Sequence, residues 1–101
     1  MPLEYTPRDT YGGNTLPLVC NTSGDVTWTY DDDDDDGYVE YVYSNGRVDS
    51  NRPRLSVDDY HSLIISPLHF NDSGRYDCYN VAGTRVVGYQ LTVNGVYCNI
   101  S

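Results

Sequence analysis

The chain contains no lysine; its six basic residues are Arg8, Arg47, Arg52, Arg54, Arg75 and Arg85. Against fifteen acidic residues they leave a net charge of −9. A nucleic-acid partner is excluded on that balance, because binding requires a basic patch that neutralises phosphates. An anionic lipid surface is disfavoured for the same reason. No apolar run is long enough to cross a bilayer. The two histidines, His61 and His69, have no third ligand at zinc spacing. Serines and aspartates are plentiful, but nothing orders them around a histidine as a catalytic triad needs. The expectation is therefore a non-enzymatic domain with no metal and no cofactor.

What is abundant is aspartate and tyrosine. Residues 31–36 are six consecutive aspartates and supply six of the nine net negative charges. The rest of the domain is only mildly acidic. Neighbouring aspartates in an extended chain point in alternate directions, so their oxygens converge poorly on an ion such as Ca²⁺. The tract reads as a solvated, self-repelling loop, with attraction of a basic partner as a second role. Eleven tyrosines form a large reserve of amphipathic contact residues.

The 101 residues fit one domain. Short alternating runs of β-formers predict strands, and no helical stretch interrupts them. Leu16, Leu18 and Cys20 share one parity, as do Val26, Trp28 and Tyr30. Residues 38–44 are rich in β-formers and lead into Asn45-Gly46, the strongest dipeptide for a two-residue hairpin turn. Val87, Tyr89, Leu91 and Val93 alternate in the last strand. A helical turn is expected within residues 67–72.

The segment Asp72-Ser73-Gly74-Arg75-Tyr76-Asp77-Cys78, with Cys20 and Trp28 upstream, resembles the immunoglobulin superfamily. The resemblance spans residues 10–94 and implies an all-β, two-sheet antiparallel sandwich. It implies that Cys20 and Cys78 bond across the sheets, that Trp28 packs on the bond and that Tyr76 forms the tyrosine corner. Loop closure for that disulfide stabilises the fold by about 3–5 kcal/mol. The hairpin at residues 38–49 points to the variable type, with its additional C′ and C″ strands. Arg54 and Asp72 match the salt bridge that closes the bottom of such sandwiches. The resemblance implies a domain over residues 1–94 and a stalk or linker over residues 95–101. A paired cysteine and three sequons, at Asn21, Asn71 and Asn99, imply an extracellular, glycosylated ectodomain. A membrane anchor is expected outside this chain.

The loops expected at the recognition tip, around residues 21–25 and 81–84, are short. Strand G lacks the Phe-Gly-x-Gly bulge of rearranged antigen receptors, and Asp31 stands near the place where such receptors carry the Gln that pairs their heterodimers. A receptor or co-receptor domain binding protein through its G-F-C-C′ sheet face is therefore the leading expectation, with self-association into a homodimer alongside it. The residues expected to make contact are Thr27, Thr29, Tyr41, Tyr43, Asp77, Tyr79 and Arg85. Tyr41 and Tyr43 are expected to share an outward face. Cys98 is the odd cysteine: an interchain bond, a partner further along the protein and a free thiol all remain open. The alternatives are an innate module for microbial carbohydrate or lipid, and a spacer in a multi-domain array. The sialic-acid subtype is disfavoured, because Tyr79 and Asn80 stand where its strand F carries an arginine.

Overall fold

A computed structural model describes residues 4–32 and 39–95. Most of the aspartate tract, Tyr38, Cys98 and the Asn99 sequon lie outside the described residues. Among the described residues nine strands form: β1 (Thr6–Tyr11), β2 (Leu16–Leu18), β3 (Thr27–Asp31), β4 (Glu40–Ser44), β5 (Arg47–Val48), β6 (Leu55–Val57), β7 (Leu63–Ile65), β8 (Gly74–Tyr79) and β9 (Arg85–Asn94). A 3-10 turn, Phe70–Asp72, falls within the stretch where a helical turn was expected. One sheet has the order β1-β9-β8-β3-β4-β5 and the other β2-β7-β6. In the strand lettering of the fold that the sequence resembles, β9, β8, β3 and β4 correspond to the expected G, F, C and C′.

Side-chain alternation sorts the two faces. Leu18, Trp28, Tyr76, Cys78 and Leu91 point inward from both sheets and are fully buried, with Leu63 and Ile65. Cys20 bonds to Cys78, tying the segment just after β2 to the penultimate residue of β8. Trp28 lies directly opposite Cys78 in the ladder, and its Nε1–H donates to the His61 carbonyl at 3.0 Å. The Tyr76 hydroxyl donates to the Asp72 carbonyl at 2.6 Å, making the tyrosine corner. The β4–β5 hairpin turns at Asn45 (φ +53°) and Gly46 (φ +78°), the two left-handed positions a type I′ turn requires.

One strand went unread in the sequence. β1 carries Pro7, Arg8 and Asp9 and shows no alternating apolar pattern, yet it pairs with β9 from Thr6↔Tyr89 to Tyr11↔Asn94. That pair is parallel, whereas every other pair in the two sheets is antiparallel. A parallel partner needs a long connection, and here most of the domain supplies it.

Arg54 and Asp72 make the expected ion pair in bidentate form, Nη1–Oδ2 at 2.5 Å and Nη2–Oδ1 at 2.9 Å. Asp72 is the buried partner (side chain 4% exposed) and Arg54 the open one (38%). Asp72 also accepts the His69 backbone N–H at 2.7 Å. Arg54→Ala thus strands a buried carboxylate. It should destabilise the domain by about 3 kcal/mol, and adding Asp72→Asn should recover roughly 1 kcal/mol. Urea denaturation at neutral pH checks this, and a double variant no more stable than Arg54→Ala would contradict it.

Burial, reinforced by the nearby Asp72 carboxylate, pushes the Tyr76 phenol far above its ordinary value, and burial also raises Tyr30. Both phenols favour the neutral form in the folded state. Their contribution is complete below the unfolded phenol value of about 10 and is lost as pH rises above it. The urea midpoint should therefore fall steeply above about pH 10. Tyr76→Phe should cost about 1–2 kcal/mol at neutral pH through the lost hydroxyl bond, and should flatten part of the alkaline fall. An unchanged alkaline slope in Tyr76→Phe would refute this assignment.

Candidate protein-binding face

The outer face of the six-stranded sheet is laid out by register. Because Trp28 and Tyr30 point inward, Thr27, Thr29 and Asp31 point out from β3. Across the ladders Tyr41, Thr29, Asp77 and Gly88 form one row. Thr27, Tyr79 and Arg85 form a second row, and Asp31, Arg75 and Gln90 a third. Six of the seven residues singled out in the sequence thus meet on this face.

Tyr43 does not join them. A register shift between Trp28 and Thr29 sets Tyr43 opposite Trp28 and Val48, where it packs against the core. The parity that groups Tyr41 with Tyr43 is broken by that irregularity, which no residue in the sequence marks. A second correction concerns exposure. Thr29 (4% exposed) and Asp77 (7%) are buried, not open contacts. Asp77 is covered by groups of its own chain.

Those groups build a compact cluster. Arg85 Nε donates to Asp77 Oδ1 at 2.6 Å, and the Tyr5 hydroxyl donates to Asp77 Oδ2 at 3.1 Å. Arg85 Nη2 donates to the Glu4 carbonyl at 2.7 Å. The Tyr5 ring lies beside two guanidinium groups, 4.7 Å from Arg85 Cζ and 5.6 Å from Arg75 Cζ. Burial and the Asp77 carboxylate raise the Tyr5 phenol above its ordinary value. Gly88 is the floor: a Cβ there would lie 1.8 Å from Arg85 Nη2 and 2.6 Å from Asp77 Oδ1. A glycine inside a strand marks such a close approach, so this feature had a sequence signal. Tyr5 had none, since it reaches Asp77 only through the parallel β1–β9 pairing.

Beside this cluster a cleft of about 690 Å³ opens between β3, β4 and the β8–β9 turn. Thr27, Thr29, Val39, Tyr41, Tyr79 and Val81 line it. Tyr41 is 64% exposed, and Val39 and Val81 are exposed as well. The β8–β9 turn is short and tied: Asn80 Oδ1 accepts the backbone N–H groups of Ala82 and Thr84, each at 3.0 Å. The loop before β3 comes near it, since a Cβ built on Gly24 would lie 3.4 Å from Val81 Cγ1. Asn21 and Asn71 are exposed and lie off this face, in the β2–β3 loop and the 3-10 turn. His61 and His69 serve the fold, one through its carbonyl and the other by accepting the Asn71 N–H at 3.3 Å.

No family model matches the chain. Protein sidekick-2 of Mus musculus is 33% identical over 81 residues, covering 76% of this chain and 3% of that protein. The chain thus spans a small fraction of that relative's length. The extracellular domain of the voltage-gated sodium channel beta4 subunit superposes with a TM-score of 0.69 at 19% identity, over 90% of this chain and 92% of that one. The extracellular fragment of novel immune-type receptor 11 from Ictalurus punctatus gives a TM-score of 0.65 at 20% identity, over 88% and 97%. These superpositions establish an immunoglobulin-like fold. The Cys20–Cys78 disulfide is that of an oxidising compartment, which makes this an extracellular domain.

Gly88→Ala should push the Arg85 guanidinium off Asp77. The expected cost is roughly 1–2 kcal/mol by urea denaturation, with cooperative unfolding retained and the Tyr5 ring resonances shifted in proton NMR spectra. Unmoved Tyr5 resonances would show that the cluster does not depend on the glycine floor.

Proposed function

We propose, from the premise that this chain is an immunoglobulin-like domain, that it is the ligand-recognition ectodomain of a cell-surface receptor or co-receptor. It binds protein through the outer face of β9, β8, β3 and β4. The observation that carries this reading is the cleft lined by the exposed Tyr41 of β4 together with the exposed Val39 and Val81. An exposed aromatic and apolar cluster on a small domain signals a partner. The tip turns are too short and too tied to offer a comparable surface.

Tyr41 and Tyr79 act as anchors and Thr27 as a polar contact at their edge. N-glycans at the exposed Asn21 and Asn71 leave the face bare. Residues 95–101 are read as a stalk or interdomain linker, with Cys98 as a candidate for a bond to a second chain or further along the protein. A second copy is one candidate partner, since the beta4 extracellular domains form parallel homodimers that explain a role in cell–cell adhesion. Such an interface would bury about 1,200–2,000 Å² in total. A second reading, one unit of a long multi-domain array, draws on sidekick-2, of which the matching stretch is only 3%.

Fluorescent tetramers of the domain, applied to cells of the source organism, test the reading. Alanine at Tyr41 or Tyr79 should weaken binding by roughly 2 kcal/mol, or about thirtyfold, with the fold intact. Asn21→Ala should leave staining nearly unchanged. Recognition would instead be tip-directed if substitutions at Ser23 or Ala82, which lie outside the cleft lining, abolish staining and the tyrosine variants do not.

A further inference from the structure

The cluster around Asp77 is more than a structural ion pair. Its charges converge on one aromatic side chain, and every group of that side chain is used. The phenol hydroxyl meets a carboxylate, the ring faces meet guanidinium groups, and the preceding carbonyl meets the second arm of Arg85. The chain's own Glu4 and Tyr5 occupy it. They lie just before β1, whose pairing with β9 begins at Thr6↔Tyr89. Both residues precede the first paired position of that ladder. Glu4 is exposed and Tyr5 only half-buried.

We propose that Asp77, Arg85 and Arg75, over the Gly88 floor, form a slot for one tyrosine side chain and the backbone carbonyl before it. In the free domain Tyr5 fills the slot; in the complex a tyrosine of the protein partner replaces it. The chemistry selects the occupant. Phenylalanine cannot donate to Asp77. A carboxylate or phosphorylated ring has no hydroxyl proton to donate to Asp77, and a lysine has no ring face to set against the two guanidinium groups. The electron-rich phenol ring suits flanking guanidinium groups. The slot is continuous with the cleft, because Asp77 stands opposite Thr29, and Arg85 opposite Tyr79. A partner loop anchored at Tyr41 can therefore reach it. This inference rests on the reading of the face as a protein-binding surface.

The test uses the whole chain with Tyr5→Ala and an acetylated, amidated Glu-Tyr-Thr peptide, the sequence of residues 4–6. Binding is followed by NMR through the Arg85 side-chain N–H and the Gly88 amide. The variant should bind the peptide and prefer it to the Glu-Phe-Thr analogue by about tenfold, the value of a hydrogen bond to a charged acceptor. The unaltered chain should bind it at least about fivefold more weakly, because a tethered Tyr5 competes at roughly millimolar effective concentration. Asp77→Asn added to Tyr5→Ala should remove most of the preference for tyrosine. Should Tyr5→Ala fail to fold, Tyr5→Phe keeps the ring between the guanidinium groups and should be displaced by the tyrosine peptide more readily than Tyr5 is. Equal binding of the two peptides, or equal binding to the variant and the unaltered chain, overturns the proposal. The peptide reports on the slot alone, so a null result there leaves the reading of the face to the Tyr41 and Tyr79 variants.

Discussion

The two sheets are tied where Cys78, opposite Trp28 in the β3–β8 ladder, bonds to Cys20. Everything on the outer face takes its position from that tie. Once Trp28 and Cys78 must point inward, the two-residue period forces Thr27, Thr29, Asp77 and Tyr79 outward. A slip of one residue would exchange the two sets, turning a threonine into the core in place of Trp28 or Asp77 in place of Cys78. The fixed tryptophan is held again from the far side, where its N–H reaches the His61 carbonyl in the loop before β7. Core packing and the candidate recognition surface are two sides of one register.

Much of this was legible in the chain. The cysteine pair, the inward tyrosine, the Asn45-Gly46 turn and the Arg54–Asp72 pair each depend on a short motif with its own stereochemical reason, and each formed. What was illegible depended on irregular or distant pairing. The register shift beside Trp28 moved Tyr43 off the face, and parity counting assumes that no such shift occurs. β1 was missed because its residues lack alternation; its pairing is supplied by β9, most of the chain away. Tyr5 followed from that strand and shared its obscurity. Burial of Thr29 and Asp77 was hidden for a related reason. Parity assigns a residue to a face but cannot say which neighbours will lie across it.

The arginines show how a strongly acidic chain keeps its cations. Arg52 pairs with Glu40 and lies over the Tyr30 ring, Arg54 holds Asp72, and Arg85 holds Asp77. Arg8 lies over the Tyr89 ring and Arg75 near that of Tyr5. Their charge is spent in local geometry, so the long-range field keeps its negative sign. Such a field favours encounter with basic surfaces and is screened by salt. Specificity at contact then falls to aromatic and hydrogen-bonding groups, which is what Tyr41, Tyr79 and the Asp77 cluster provide.

A glycan wedge tests the central claim most directly. Gln90→Asn creates a sequon with Thr92 on the outer face, next to Arg75, and Tyr60→Asn creates one with Ser62 at the exposed turn between β6 and β7. With glycan occupancy verified by mass spectrometry, tetramer binding to cells is compared between the two. A recognition face on β9, β8, β3 and β4 predicts that the glycan at position 90 abolishes binding and the glycan at position 60 leaves it intact. Retained binding with the first and lost binding with the second would place recognition on the opposite sheet and contradict the account.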